Sequence, residues 1–418
     1  MPVIAENVAE RLVLKAHSTG TYDPTTEPVP ATDPAATGGQ IIRFVDHNLA
    51  LTRQNYSSNE MREDQQQPIE NLGTKSVPVT VNALLSCSSH KIMMEAVLRG
   101  TWSAAAVSKT ETELTSVAAD NATSKYTFGG GDPVSEGLKV GMIVQFSTLS
   151  EALNNATNYL ILGFSGTSNR VMEVYPAPTD MTADIAFTVA SVGRYLYAPS
   201  SSPVRRKFAL ETHNSDSDLA KLYTEIAFGG MTINAAPNQN VRLGFTGMGR
   251  NRYLYTGASA PFFTSPTAAP TTDLIASMDG LLRLNGATVG YMTGLDVSFA
   301  AQLSALAQIK SDGLAAGIVP QGNRVIGGSF TLFELDTTFH DLYDAETEFS
   351  IMAYMPATSA VDAPAVVVFL PRVKITNQTV ITVDGAKALQ CTFSAARYAG
   401  SAPGVESTSL FIHDTVVA

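Results

Sequence analysis

The 418-residue sequence is poor in charge, in cysteine and in long apolar runs, and each shortage excludes something. Charged residues make up 16% of it, against about a quarter in an ordinary soluble domain. Its polar surface must therefore come from Ser, Thr, Asn and Gln, a surface suited in part to burial against partners. The formal net charge of −11 argues against a protein that grips phosphates, which needs clustered Lys and Arg to displace counterions. An acidic surface can still face DNA if the task is to let it pass. Two cysteines, Cys87 and Cys391, are too few for a disulfide framework and fit a reducing compartment. No window approaches the ~20 apolar residues of a membrane span. The opening MPVIAENVAERLVLK carries Glu6 and Glu10 and has no apolar core, unlike a signal peptide, so synthesis in a cytoplasm is expected.

Catalytic signatures are missing as well. His17, His47, His90, His213, His340 and His413 are scattered, with no pair of them at metal-ligand spacing, so no metal or cofactor is expected. HNSDSD at 213–218 offers Asp216 and Asp218 but lacks the acid that closes a calcium loop, and capping of a following helix explains it better. GFTGMG at 244–249 ends a strand without opening a helix, so its glycines read as turn or bulge residues. No nucleophile elbow is present. The acids Glu60, Glu63 and Asp64, and the pair Glu346 and Glu348, suit glycoside hydrolysis only if they converge in a cleft. A solvated or inter-subunit role is the simpler reading, and the chain is not expected to be an enzyme.

What the sequence does contain is organised around Leu51 to Trp102. There, a polar run passes into an alternating strand (Val77, Val79, Val81) and then an amphipathic helix (Ile92, Met93, Ala96, Val97) with Ser86, Ser88 and Ser89 as candidate N-caps. The unit partly recurs in SFTLFELDTTFHDLYDA: Phe330 and Leu332 share a strand face, Asp336 to Thr338 cap, and Phe339, Leu342 and Tyr343 line a helix. Before these, residues 1–16 suit a short amphipathic helix and 17–40 an extended Thr-Pro-Ala-Gly arm ordered only by neighbours. IIRFV and LALTRQ are strand candidates. Residues 106–195 break into short strands between Gly, Asn and Pro turns, the spacing of a small barrel or sandwich.

Further on, a strand through Phe208 and Leu210 precedes a short helix expected within 216–228. MTINAAP and NVRLGFTGMG should pair through a turn at 237–239. After a Pro-rich linker at 258–272 come LLRLNGATV, GLDVSFAAQLSALAQI, a Gly-rich loop at 313–328, FSIMAYM, and a hairpin of AVVVFLPRVKI with ALQCTFSAARY. The tail beyond Gly400 reads as an arm that docks elsewhere.

Taken in order, three stretches resemble a known family. Arg53, Ser58, Glu60, Met61 and Arg62, the Gln65–Gln67 run, then strand, helix and Gly100 to Trp102, resemble the N-terminal signature of tail tube proteins of long-tailed (siphovirus-type) phages. KFALETHNSDSDLAKLYTEIAFGGMTINAAPNQNVRLGFTGMG resembles that family's central segment. VIGGSFTLFELDTTFHDLYDAETEFSIMAYM with FLPRVKI resembles its closing strand, helix and hairpin.

The resemblance implies a mainly β fold of sandwich or barrel domains with short flanking helices, polymerised as stacked rings around a DNA channel in the virion tail. With the recurrence, it suggests two tube-like halves: 41–105 with 196–257, and 273–400. An inserted β module (106–195), a linker (258–272), an N-terminal arm (1–40) and a C-terminal arm (401–418) complete the plan. Three chains would then make a pseudo-sixfold ring; six chains per ring is the alternative. Partners implied are other copies, tape measure and tail terminator proteins, and DNA in passage, with no membrane segment. Arg53, Glu60, Arg62, Glu63 and Asp64 are the candidate inter-subunit contacts. A β-rich adhesion protein binding a ligand such as a glycan is the competing reading.

Overall fold

In a computed structural model of the chain, residues 10–417 are described apart from positions 59, 62, 65, 67–69 and 311. The fold is mainly β, as expected, with few and short helices. The elements used below are β1 (Glu10–Ala16), β2 (Asp46–Leu49), β3 (Thr52–Tyr56), β4 (Asn71–Leu84), α1 (Lys91–Leu98), β5 (Phe208–Asn214), β6 (Leu219–Ala235) and β7 (Arg242–Gly249). They continue with β8 (Met292–Ala305), β9 (Ile318–Phe333), α2 (Thr338–Asp344), β10 (Phe349–Pro356), β11 (Ala365–Val383), β12 (Ala386–Ala395) and β13 (Phe411–Asp414).

Eight of these strands lie side by side, all antiparallel, in the order β2, β4, β7, β6, β8, β9, β12, β11. Alternation places Val77, Val79, Val81 on β4, Phe245 on β7, Met231 and Ile233 on β6, Val297 and Phe299 on β8, and Phe330 and Leu332 on β9 in one core. α1 and α2 close that core from behind, through Met93, Val97 and Phe339. Each aromatic or aliphatic side chain buried there contributes roughly 1.5–3 kcal/mol.

The run divides into two four-strand units with the same plan. β2–β4–β7–β6 is matched by β8–β9–β12–β11, and in each a helix follows the second strand, α1 after β4 and α2 after β9. Val77, Thr80 and Val81 of β4 occupy the places of Ile326, Ser329 and Phe330 of β9, and Lys75, two residues before Val77, takes the place of Arg324, two residues before Ile326. Leu243 and Thr246 of β7 match Leu389 and Thr392 of β12. A register shift between Phe228 and Gly230 on β6 has its counterpart between Ile375 and Asn377 on β11. Thr232 and Ile233 therefore correspond to Thr379 and Val380.

A separate eight-stranded sheet of short strands runs from Ser108 to Ser191, around Tyr126, Phe128, Phe146, Tyr159 and Phe187. It packs on the back of the second unit, against Met352, Tyr354, Val367, Phe369 and Phe411. β13 is inserted between β11 and the strand Arg194–Tyr197.

Several local expectations are corrected. Residues 10–16 are a strand, not part of a helix: β1 pairs with β5, burying Leu12, Val13 and Leu14 consecutively, which no single helix face does; residues 1–9 lie outside the described residues. No helix occurs at 216–228, because β6 pairs with β5 on one side and with Asn251–Thr256 on the other. Burial on both faces erased the alternation that would have marked a strand. Asn214, Asp216 and Ser217 form the turn before β6, the Asn214 side chain accepting from both following amides at 3.0 and 3.3 Å.

The serines before α1 do not cap it. His90 is the N-cap and makes no side-chain cap bond, while Ser86 and Ser89 bond each other at 2.6 Å and the Ser88 amide donates to Asp414 at 2.7 Å. The segment 318–328 is strand rather than Gly-rich loop, since β8 pairs along it. The stretch from Glu111 begins with a one-turn helix, Glu111–Leu114, fixed by a capping box between Thr110 and Glu113.

Candidate assembly surfaces

The face of the eight-strand run opposite the core is polar and built largely of small residues. Thr80 and Asn82 on β4, Thr246 on β7, Thr232 and Asn234 on β6, Ser298 on β8, Ser329 on β9 and Thr392 on β12 project from it, none of them buried. Glycines keep it low: a Cβ on Gly230 would stand 2.2 Å from the Thr246 hydroxyl, and one on Gly244 2.6 Å from that of Thr232. Two carboxylates on this face are drawn into local bonds. Asp46 accepts from Asn82 at 2.6 Å and Asp296 from Asn234 at 3.3 Å. The surface is thus hydrophilic with little net charge, which neither holds nor strongly repels a polyanion.

The sequence-nominated contact residues lie on one projection, the β3–β4 hairpin, whose strands pair from Thr52↔Ser76 to Tyr56↔Asn71 beyond the core. Arg53 is exposed on β3 opposite Lys75; Glu60, Glu63 and Asp64 are exposed in the connecting loop, where Asp64 accepts from the Gln66 amide at 3.2 Å. Arg62 lies outside the described residues. Met61 and Leu72 beside them are 103% and 61% exposed, an apolar component that the charge pattern alone did not announce. The other acidic pair is engaged within the chain, Glu348 with Arg372 at 2.5 Å and Glu346 with Lys374 at 2.5 Å, and the two carboxylates line separate clefts rather than converging in one.

One cluster of buried charged groups, Lys207, Glu225 and Arg250, lies where the N-terminal arm meets the body. Glu225 sits between Lys207, at 2.7 Å, and Arg250. Burial pushes the Glu225 carboxyl up, opposed by those two cations. From the arm, Tyr22 donates to the Glu225 carbonyl at 3.1 Å, His17 accepts from the Glu225 amide at 3.1 Å, and Glu27 accepts from Thr224, Asn251 and Tyr253. Burial lowers the His17 imidazole to about 4. These residues escaped sequence reasoning because the arm has no periodicity and its anchors lie about two hundred residues away.

Beside the arm is a cleft of about 530 Å³ lined by Tyr22, Arg99, Arg205, Arg206, Leu303 and Ile318. Arg99 is lowered by burial and by the neighbouring positive charges of Arg324 and Arg205. Arg324 donates to the Leu98 carbonyl at 2.9 Å, and Arg206 to the Gly100 carbonyl at 2.7 Å. Backbone carbonyls at the end of α1 thus take up part of this positive charge. Both cysteines are free and buried. Among the described residues, no helix is long and apolar enough to cross a membrane.

No curated protein matches the chain. A family model described as phage tail tube protein matches residues 10–395, and the chain belongs to that family of structural virion tail proteins.

Proposed function

We propose that three copies of this chain close into a pseudo-sixfold ring, and that such rings stack into the tail tube through which DNA leaves a long-tailed phage. In this reading the two four-strand units are the tube-like halves, 41–105 with 196–257 and 273–400. The 106–195 module decorates the outside, and the polar face of the eight-strand run lines the bore. The tube assembles in the host cytoplasm with tape measure and terminator proteins.

The observation that carries this is the run itself. It has one buried face, one small-residue polar face and, among the described residues, two edges open along β2–β3 and along β11 from about Thr376 onward, and closure across copies is what removes such edges. Three copies give a barrel of ~24 strands, roughly 45–50 Å across the backbone at ~4.8 Å spacing and ~40° tilt. Six copies would give ~48 strands and about twice that bore, far wider than a duplex needs. A wall of Thr, Ser, Asn and Gly with few charges offers passing phosphates no fixed partner.

Cryo-electron microscopy of the purified, polymerised protein tests the reading. Stacked rings with threefold symmetry and a near-sixfold inner wall are expected. A monodisperse monomer at every concentration, or one that captures glycans, overturns it in favour of the adhesion reading.

A further inference from the structure

The middle of the eight-strand run contains a junction that its two ends lack. There, β6 of the first unit pairs with β8 of the second, from Gly230↔Ala300 to Ala235↔Leu295. At the ends, the outer edge of β11 from about Thr376 onward, and the outer edge of β2 and β3, pair with no other strand among the described residues.

Resting on the tail tube reading above, we infer that these two edges pair with each other between copies. β11 of one chain adds to β2–β3 of the next in the register that β6 keeps on β8.

Three observations converge on this seam. The first is the correspondence of strands. β11 repeats β6 down to its register shift, and β2–β3 stands to β4 as β8 stands to β9. Carrying the β6–β8 register over places Val380 opposite Leu49 of the next copy, as Ile233 lies opposite Val297 within the chain.

The second observation is burial. Ile233 is 3% exposed, whereas its counterpart Val380 is 53% exposed on an open edge. An apolar side chain whose twin is sealed by a neighbouring strand is a side chain awaiting that strand.

The third is charge. At the internal junction Arg324 of β9 reaches the Leu98 carbonyl at the end of α1. The counterpart of Arg324 is Lys75 on β4. The counterpart of Leu98, aligning Met93, Ala96 and Val97 with Phe339, Leu342 and Tyr343, is Asp344 at the end of α2. The seam therefore brings the Lys75 ammonium of one copy to the final turn of its neighbour's α2, where the helix carbonyls and the Asp344 carboxylate attract it. At the internal junction an Arg meets the Leu98 carbonyl; between copies a Lys meets a carboxylate, which adds selectivity for the correct partner edge.

The test is a chain carrying both Val380→Cys and Leu49→Cys, polymerised, oxidised and run denatured without reductant. The native cysteines are buried and stay silent. A ladder that ends at the covalent trimer is expected, since each chain links to two neighbours and the ring closes. The pair Val380→Cys with Asn48→Cys, whose second side chain points to the other face, should give no ladder.

Each single-cysteine chain must polymerise like the unaltered protein, which separates folding defects from a wrong seam. Tubes that form normally but never cross-link overturn the seam and leave the tail tube reading standing. An unaltered chain that never polymerises overturns the reading itself, and a ladder that runs past the trimer overturns the three-chain ring. Independently, Lys75→Glu should cut polymerisation by about tenfold or more and Asp344→Lys in the same chain should restore it; loss without rescue counts against the pairing.

Discussion

Ile233 and Val380 occupy the same place in two copies of one strand arrangement, yet one is sealed and the other is bare. The difference lies in what is next door. The first unit has the second unit's β8 along its edge, whereas among the described residues no strand lies along the outer edge of β11 from about Thr376 onward. Exposure of an apolar residue usually says little, because much of any protein surface is apolar. Here the covered twin supplies the missing reference, and it turns an ordinary exposed valine into a statement about assembly. On the proposed seam, one chain carries both a finished interface and an unfinished one, built on the same plan.

The largest expected effect separates the two sites. Ile233→Asp buries an unpaired carboxylate in the core and should cost about 4 kcal/mol or more, so that the chain is recovered largely unfolded. Val380→Asp should leave the melting temperature of the monomer within about 2 °C while abolishing tubes. Circular dichroism melts alongside electron micrographs read both. Equal destabilisation by the two substitutions would break the comparison.

A smaller effect belongs to the folded interior that backs β11. His413 on β13 is fully buried, with Nε2 2.7 Å from the Val192 carbonyl, and burial lowers its imidazole from 6.5 to about 4. The folded chain keeps this group neutral, while the unfolded chain takes up a proton below pH 6.5. Its contribution is therefore intact above that value and is lost as the pH falls through the window down to about 4, by about 3 kcal/mol in all. His17, lowered likewise to about 4, adds to the slope. Melts of the monomer across this window should show the loss, and His413→Gln should flatten it. An unchanged slope in the variant would place the acid sensitivity elsewhere.

How far the sequence foretold this depends on the face a residue occupies. Where one face is buried, as in Val77 to Val81 or Phe330 to Leu332, alternation marked the strands, and the paired recurrence of strand and helix was visible at β4–α1 and β9–α2. Where both faces are buried, as in β1 and β6, alternation vanished and a helix was expected instead. The arm's anchors at Glu225, Thr224 and Tyr253 were invisible, because long-range pairing leaves no local pattern. Of the nominated contact residues, Arg53, Glu60, Glu63 and Asp64 do lie together on an exposed hairpin. The edge residues Leu49, Val380, Lys75 and Asp344 were passed over, since only the matched register of two units gives them meaning.

The smallest effect concerns the hairpin tips, where the same contrast reappears. The β8–β9 tip rests on the N-terminal arm and on the first unit: Lys310 donates to the Thr25 carbonyl of the arm at 2.8 Å, and the Lys75 amide of β4 donates to the Gly313 carbonyl at 2.7 Å. The corresponding β3–β4 tip carries Glu60, Met61, Glu63 and Asp64 into solvent. If the first unit's tip uses the next copy as the second unit's tip uses the first, then Glu63→Lys should leave monomer stability within about 0.5 kcal/mol, as exposed charges do. It should still raise the protein concentration needed for polymerisation, and more so at low salt, where Coulomb terms between surfaces reach farther. Light scattering against protein concentration at two ionic strengths measures this. An unshifted onset at both would make the tip a solvated loop and confine the assembly surface to the strand edges.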